Sequence, residues 1–220
     1  MSFAGFSTEA FAFFEGLAAD NSKAFWQANK ATFDTQVKGA MVALLDELNE
    51  FGPFNIFRPY NDVRFAKGRP PYKEQIGAIG EREGGAVFYV QLSATGLMIG
   101  SGYYAMATDQ LERFRSAVDD DHRGMEVAAI SGRLAKKHYT IGAIGELKTS
   151  PRGYPKDHPR IELLRRKGLT AFRSWPPEPW LHTKSVVKKV RDGWNGAAEL
   201  NDWLDEHVGP STLPPPDWSR

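Results

Sequence analysis

Apolar residues recur along this chain with two different periods, and the switch between them separates predicted helices from predicted strands. Ser7 precedes Phe11, Phe14 and Leu17, a helical spacing with a capping residue at its start. Asp20 and Asn21 interrupt that stripe and are expected to cap a longer helix running to about Glu50. Its apolar positions, Phe25, Phe33, Val37, Met41, Leu44, Leu45 and Leu48, follow steps of three, four or eight along one face. Gly52 and Pro53 end it.

Residues 56–66 read as short extended pieces interrupted by Pro59, and Gly68, Pro70 and Pro71 predict a rigid loop, since proline fixes φ and withdraws an amide donor. From Ala86 the period becomes two. Phe88, Val90 and Leu92 face one way and Val87, Tyr89 and Gln91 the other. A turn at Ala94–Gly96 leads into a second strand, Leu97 to Gly100, which makes this the best hairpin in the chain. Thr108 is expected to cap a helix carrying Leu111, Phe114, Arg115 and Val118, and a further helix is expected over Met125 to Lys136. Short strands are expected within Tyr139 to Tyr154, a short helix near Ile161–Lys167, and a strand from Leu169 to Trp175. A last helix is expected from about Thr183 to His207, with Val186, Val190, Trp194 and Trp203 along it. Nine residues place the two tryptophans about 180° apart on one helix, so one is expected in the core and the other at the surface or an interface.

Helices, then hairpin-linked strands, then helices indicate an α+β fold. The expected architecture is an antiparallel sheet built around the central hairpin and packed against several helices, one of them long and N-terminal. A single domain is expected over residues 1–210, followed by an irregular proline-rich arm over 211–220.

Composition narrows the function classes. An apolar fraction of 41% with 14 Phe, 7 Tyr and 6 Trp supplies a core, and a charged fraction of 25% is ordinary for a globular protein. A net charge of +1 gives no general attraction for polyanions, so nucleic-acid binding would require local clustering of Lys and Arg. The chain has no cysteine, which removes disulfides, thiolate nucleophiles and Cys-ligated metals. No apolar run approaches the roughly 18–20 residues of a membrane span. The N-terminus lacks a basic region and reads as helix rather than signal peptide, which points to the cytoplasm.

The most chemically loaded stretch runs from Arg58 to Lys73, with five cations and one acid, Asp62. Arg58, Tyr60, Asp62 and Arg64 alternate, so an extended backbone projects all four from one face. Clustered arginines offer forked donors suited to carboxylate or phosphate. Lys67 and Lys73 add charge, Tyr60 and Tyr72 hydroxyls, and Pro70 and Pro71 a rigid support for Tyr72 and Lys73. Two readings stand: a site for a small anionic ligand, or a network in which Asp62 pairs with the arginines and holds the loop in place.

This run resembles the signature of the domain of unknown function (DUF) 2461 family, found in bacteria and fungi. Arg58, Tyr60, Asp62, Arg64, Phe65, Lys67, Pro71, Tyr72 and Lys73 match its pattern, whereas Asn61, Gly68 and Pro70 depart from it and Arg69 keeps the charge of a family lysine. Asn21, Phe25-Trp26 and Asn29-Lys30 are similar to the family's entry to a long helix, Tyr89 to Gly102 to its central hairpin, and Gly153 with Asp157-His158-Pro159 to a later loop motif. The resemblance implies the α+β fold and draws attention to Arg58–Lys73, but it brings no activity with it.

Other motifs are weaker. His158 is a candidate acid or base beside Asp62, although a loop histidine bonded to a backbone carbonyl is the more ordinary reading. Gly100-Ser-Gly-Tyr-Tyr-Ala105 has the spacing of a dinucleotide fingerprint but follows a hairpin strand with no crossover unit after it; the simpler reading is that its glycines let Tyr103 and Tyr104 turn out of the sheet. Asp119-Asp-Asp-His122 reads as a solvated helix end, and the five histidines are scattered, so neither a metal nor a cofactor is expected. Lys184, Lys188 and Arg191 share one face of the last helix. The sequence therefore leads to a protein that binds a small anionic ligand through Arg58, Tyr60, Asp62, Arg64, Lys67, Tyr72 and Lys73, with catalysis open. A nucleic-acid or protein interaction module, with Arg58–Lys73 as an ion-pair clamp, is the alternative, and no oligomeric state follows.

Overall fold

The computed structural model describes residues 2–62, 68, 70–81 and 85–213. Ser7 caps the first helix, α1 (Thr8–Ala19), through its hydroxyl oxygen, which accepts the Ala10 N–H at 3.3 Å. Phe11, Phe14 and Leu17 are buried along it. The next cap is Ser22 rather than Asp20 or Asn21: its Oγ accepts the Phe25 N–H at 3.1 Å and opens α2 (Lys23–Thr32). Helical structure continues to Asp46, but not as one uniform α-helix. A π-helical stretch, Phe33–Lys38, separates α2 from α3 (Gly39–Asp46). Phe33, Val37 and Met41, spaced by fours, are buried along this run of helix.

Strands β1 (Phe54–Ile56), β2 (Gln75–Glu81), β3 (Val87–Ser93), β4 (Gly96–Tyr103), β5 (Thr140–Gly142) and β6 (Leu169–Trp175) form one antiparallel sheet in the order β1-β2-β3-β4-β6-β5. Phe54 faces Gly80 across the β1–β2 ladder, and Thr140 faces Phe172 across β5–β6. Strand β3 alternates as its sequence predicts, with Phe88, Val90 and Leu92 buried. The hairpin turns at Gly96, whose φ of +115° and position against the Trp175 carbonyl leave no room for a side chain. The α+β class with an antiparallel sheet around this hairpin is thus the observed fold.

Helices α4 (Thr108–Asp119), α5 (Asp121–Lys136), α6 (Ile161–Leu164), α7 (Ser185–Asn195) and α8 (Ala198–His207) complete it. Thr108 is the first residue of α4 and not its cap; the preceding Ala107 N–H donates to Gln110 Oε1 at 2.9 Å. The expected final helix is two helices, broken at Gly196 and Ala197. That break revises the tryptophan geometry. With Trp194 on α7 and Trp203 on α8 the nine-residue offset no longer sets their directions, and both are buried.

By packing, the chain divides into two compact units: Met1–Gly80 with Tyr89–Ile99 and Ser174–Gly193, and Glu81–Phe88 with Gly100–Arg173 and Trp194–Arg220. The first has an aromatic centre, in which Phe13 meets Phe14 edge-on at 5.4 Å and Trp26 at 5.9 Å, and Trp26 lies 4.8 Å from Phe33. The second is built on Phe114, Val118, Val127, Ile130, Leu164, Leu169, Leu200 and Leu204. No helix among the described residues is long and apolar enough to cross a membrane.

Candidate functional site

Within the first unit, the two ends of the Arg58–Lys73 segment are fastened to each other. Tyr60 and Tyr72 form an antiparallel bridge, flanked by hydrogen bonds from Lys73 N–H to the Pro59 carbonyl at 2.8 Å and from Asn61 N–H to the Pro71 carbonyl at 2.9 Å. Two carboxamides complete the frame. Asn21 Oδ1 accepts the Tyr72 N–H at 3.0 Å while its Nδ2 donates to the Tyr72 carbonyl at 3.1 Å. Asn61 Nδ2 donates to the Pro70 carbonyl at 2.8 Å and to that of Tyr72 at 3.2 Å. The rigidity expected from the double proline therefore rests on asparagine side chains as well.

Tyr72 is buried and stacks on Trp26 at 4.4 Å with the rings only 6° from parallel. Tyr60 leans against both, 5.8 Å from Trp26 and 5.5 Å from Tyr72, yet remains 47% exposed. Phe57 is also exposed, and the Lys73 ammonium sits 5.5 Å above its ring, a cation–π contact. Beneath, Phe57 N–H donates to the Gly77 carbonyl at 2.9 Å, and Phe57 lies 6.3 Å from Tyr89, whose hydroxyl donates to Gln91 Oε1 at 2.8 Å. Arg58 is exposed and has no hydrogen-bond or ion-pair partner among the described residues. Asp62 is half-buried. Arg64 and Lys67, like Phe65 and Arg69, lie outside the described residues, as do 214–220 of the expected C-terminal arm. The structure thus joins Tyr60 to Tyr72 and Lys73 to Phe57, with Arg58 exposed on the same tethered segment. Nearby, the hydrogen bond from Lys30 to Asp34 raises the lysine's pKa above its ordinary value.

His158 belongs to the second unit and has a positioning role there. Its Nδ1 accepts the Arg160 N–H at 3.0 Å, so the ring proton faces Asp119 from Nε2, 3.3 Å from the carboxylate. The expected bond to a backbone carbonyl is replaced by these two. Arg160 caps the end of α4, donating from Nε to the Val118 carbonyl at 2.7 Å and from Nη2 to the Asp119 carbonyl at 2.9 Å and Asp121 at 3.2 Å. Asp120 caps α5, and the Arg123 N–H holds its carboxyl below the usual carboxylate range. The acidic run 119–121 is thus a junction between helices, each carboxylate with its own partner. Among the described residues no cluster of three His, Asp or Glu could hold a metal.

The glycine-rich stretch at 100–105 has a packing role. Gly100 and Gly102 lie inside β4, where a Cβ would meet the Phe172 ring and the Leu169 carbonyl. Tyr103 does not turn out of the sheet; it is buried and its hydroxyl donates to Asp205 at 3.0 Å. Ser101, also buried, receives a hydrogen bond from Asn201 at 2.7 Å. Lys184, just before α7, reaches Ser2, and on α7 Lys188 pairs with Asp192 while Arg191 binds Glu50 at 2.6 Å and the Glu47 carbonyl at 2.7 Å.

Sequence reasoning missed Asn21, Asn61 and Phe57. Asn21 carries a signal, a carboxamide at a helix junction with a proper serine cap one residue later, but its partner is 51 residues away. No curated protein and no solved structure matches the chain. The family model of the conserved hypothetical proteins DUF2461 matches residues 9–203, which take in the Asn21–Tyr72 frame, the hairpin and the His158 loop, so the chain belongs to that family.

Proposed function

We propose that this protein binds a small phosphate- or carboxylate-bearing ligand at the surface made by Phe57, Arg58, Tyr60 and Lys73. The observation that carries the reading is Arg58, an exposed guanidinium without a partner among the described residues, on a doubly tethered backbone that also carries the exposed Phe57 and Tyr60. A guanidinium presents a planar fork of donors to an oxyanion. The aromatic faces suit the apolar or planar remainder of the ligand, and the tethers lower the entropy lost on binding. The sequence adds Arg64 and Lys67, two further cations of the segment, to the proposed ligand set. If the protein is an enzyme, Asp62 is the acid–base candidate, because His158 already engages both ring nitrogens.

Thermal unfolding against a panel of phosphorylated and carboxylated metabolites tests this, with Arg58→Ala as the control. A ligand that raises the melting temperature of the wild type and not of the variant supports the proposal. No such ligand, together with an Asp62→Ala variant that loses stability and no binding property, would leave Arg58–Lys73 as a structural clamp. A polyanion-binding module gains less support, because Lys188 and Arg191 of the second basic stripe are paired with Asp192 and Glu50.

A further inference from the structure

The loop from Lys148 to Asp157 carries one of the family-like motifs and belongs to the second unit. It is pinned at both ends. On the near side Leu147 N–H donates to the Arg165 carbonyl at 2.8 Å, and Arg165 Nε returns a bond to the Leu147 carbonyl at 2.6 Å. On the far side His158 and Arg160 fasten the chain to the α4–α5 junction, with Arg160 only 10% exposed. Between these anchors the loop turns at Gly153, whose φ is +92°.

Lys148, Arg152 and Lys156 stand on this pinned loop, and none has an ion-pair or hydrogen-bond partner among the described residues. Arg113, Arg123, Arg133, Arg160 and Arg166 of the same unit each face a carboxylate, whereas Lys136, Lys137 and Lys167, like these three, have no ion-pair partner among the described residues; what sets this loop apart is the groove. Two of the unpaired cations, Lys148 and Lys156, line a groove of about 270 Å³ with Thr149, Ser150, Ile161, Glu162 and Arg165. The Thr149 and Ser150 hydroxyls are likewise without partners among the described residues. Glu162 offsets Arg165, 3.3 Å away, so the two lysines leave the groove a net positive charge. Ammonium and hydroxyl donors around a concave, positively charged space are complementary to a phosphate group, which offers only acceptors. The volume lies at the small end for a ligand site, which limits the occupant to a phosphate with a body of a few carbon atoms rather than a polymer.

We propose that this groove is a second anion site, separate from the Arg58 surface, and that it takes a small phosphomonoester. Lys148 and Lys156 supply charge, Thr149 and Ser150 hydrogen bonds, and Ile161 an apolar contact for the ligand body.

Amide NMR of the full-length protein, titrated with inorganic phosphate and separately with glycerol 3-phosphate at constant ionic strength against chloride, tests it. Saturable shifts are expected at Thr149, Ser150 and Lys156, tighter for the ester than for inorganic phosphate. Binding should weaken at least about tenfold in Lys148→Ala/Lys156→Ala and persist in Arg58→Ala, which separates this site from the first. A Thr149→Val/Ser150→Ala variant, which keeps every charge, should weaken binding as well. Shifts absent from this loop, reproduced by chloride, or unchanged in both double variants would overturn the proposal; equal affinity for the two probes would overturn the assignment to an ester.

Discussion

The Asn21 carboxamide pairs with both backbone polar groups of Tyr72, accepting its N–H at 3.0 Å and donating to its carbonyl at 3.1 Å. A side chain here takes the place of a neighbouring strand, and a contact spanning 51 residues fixes the returning leg of the Arg58–Lys73 segment.

Replacing Asn21 by alanine leaves the Tyr72 N–H without a partner and its carbonyl with only the longer bond from Asn61. A partly buried backbone group deprived of its partner costs about 1–3 kcal/mol. Denaturant unfolding of Asn21→Ala should show a loss in that range, with faster amide exchange at Tyr72. An unchanged midpoint would mean that the asparagine does not hold the segment.

Arg58→Ala should behave in the opposite way. The guanidinium is exposed and unpartnered among the described residues, so stability should stay within about 0.5 kcal/mol of the wild type, while any stabilisation by an anionic ligand is lost. Calorimetry with and without the ligand separates the two effects.

Asp109 ties down the chain after α8. The Thr212 N–H at 2.8 Å, followed by the Ser211 hydroxyl, the Arg113 guanidinium and the Thr212 hydroxyl, holds its carboxyl far below its ordinary value of 3.8. A lowered carboxylate pKa in the fold stabilises above the unfolded value and loses that contribution as the pH falls below it. The protection of the Thr212 amide, corrected for the intrinsic pH dependence of exchange, should therefore fall as the pH drops below about 3.8, and Asp109→Asn should lower it and remove that pH dependence.

Gly124 sits where Arg160 crosses the start of α5. A Cβ there would lie 2.1 Å from the Val118 carbonyl and 2.5 Å from Arg160 Nε. Gly124→Ala should cost about 1–3 kcal/mol, as overpacking does, despite the better helix propensity of alanine. Arg160→Met, which keeps the helix and strips the two carbonyls of their donor, should lose stability without that clash; melting curves of both variants distinguish steric from hydrogen-bonding loss.

Local signals were the legible part of the sequence. Ser7 as a cap, the β3 alternation and the β6 limits Leu169 and Trp175 depend only on neighbours within a turn or a strand, and all are observed. What the sequence left hidden depends on distant contacts or on backbone geometry. The break follows Asn195-Gly196, a local helix-stop signal masked by the continuing apolar stripe, so the fates of Trp194 and Trp203 could not be read from their spacing. The π turn at Phe33–Lys38 looked like an ordinary run of fours. At the site, Arg58, Tyr60 and Lys73 announced themselves by charge and alternation, whereas Asn21 and Trp26 became part of it only when the chain returned to them through Tyr72.

The sheet ends at both sides in its shortest members, since β1 and β5 are three residues each. A strand of that length offers an incoming chain little more than a pair of ladder bonds, which guards against edge-to-edge aggregation. Recruitment of a peptide by strand addition finds the same poor template. Any recognition by this fold would therefore rest on side chains, which can change one residue at a time without disturbing the sheet.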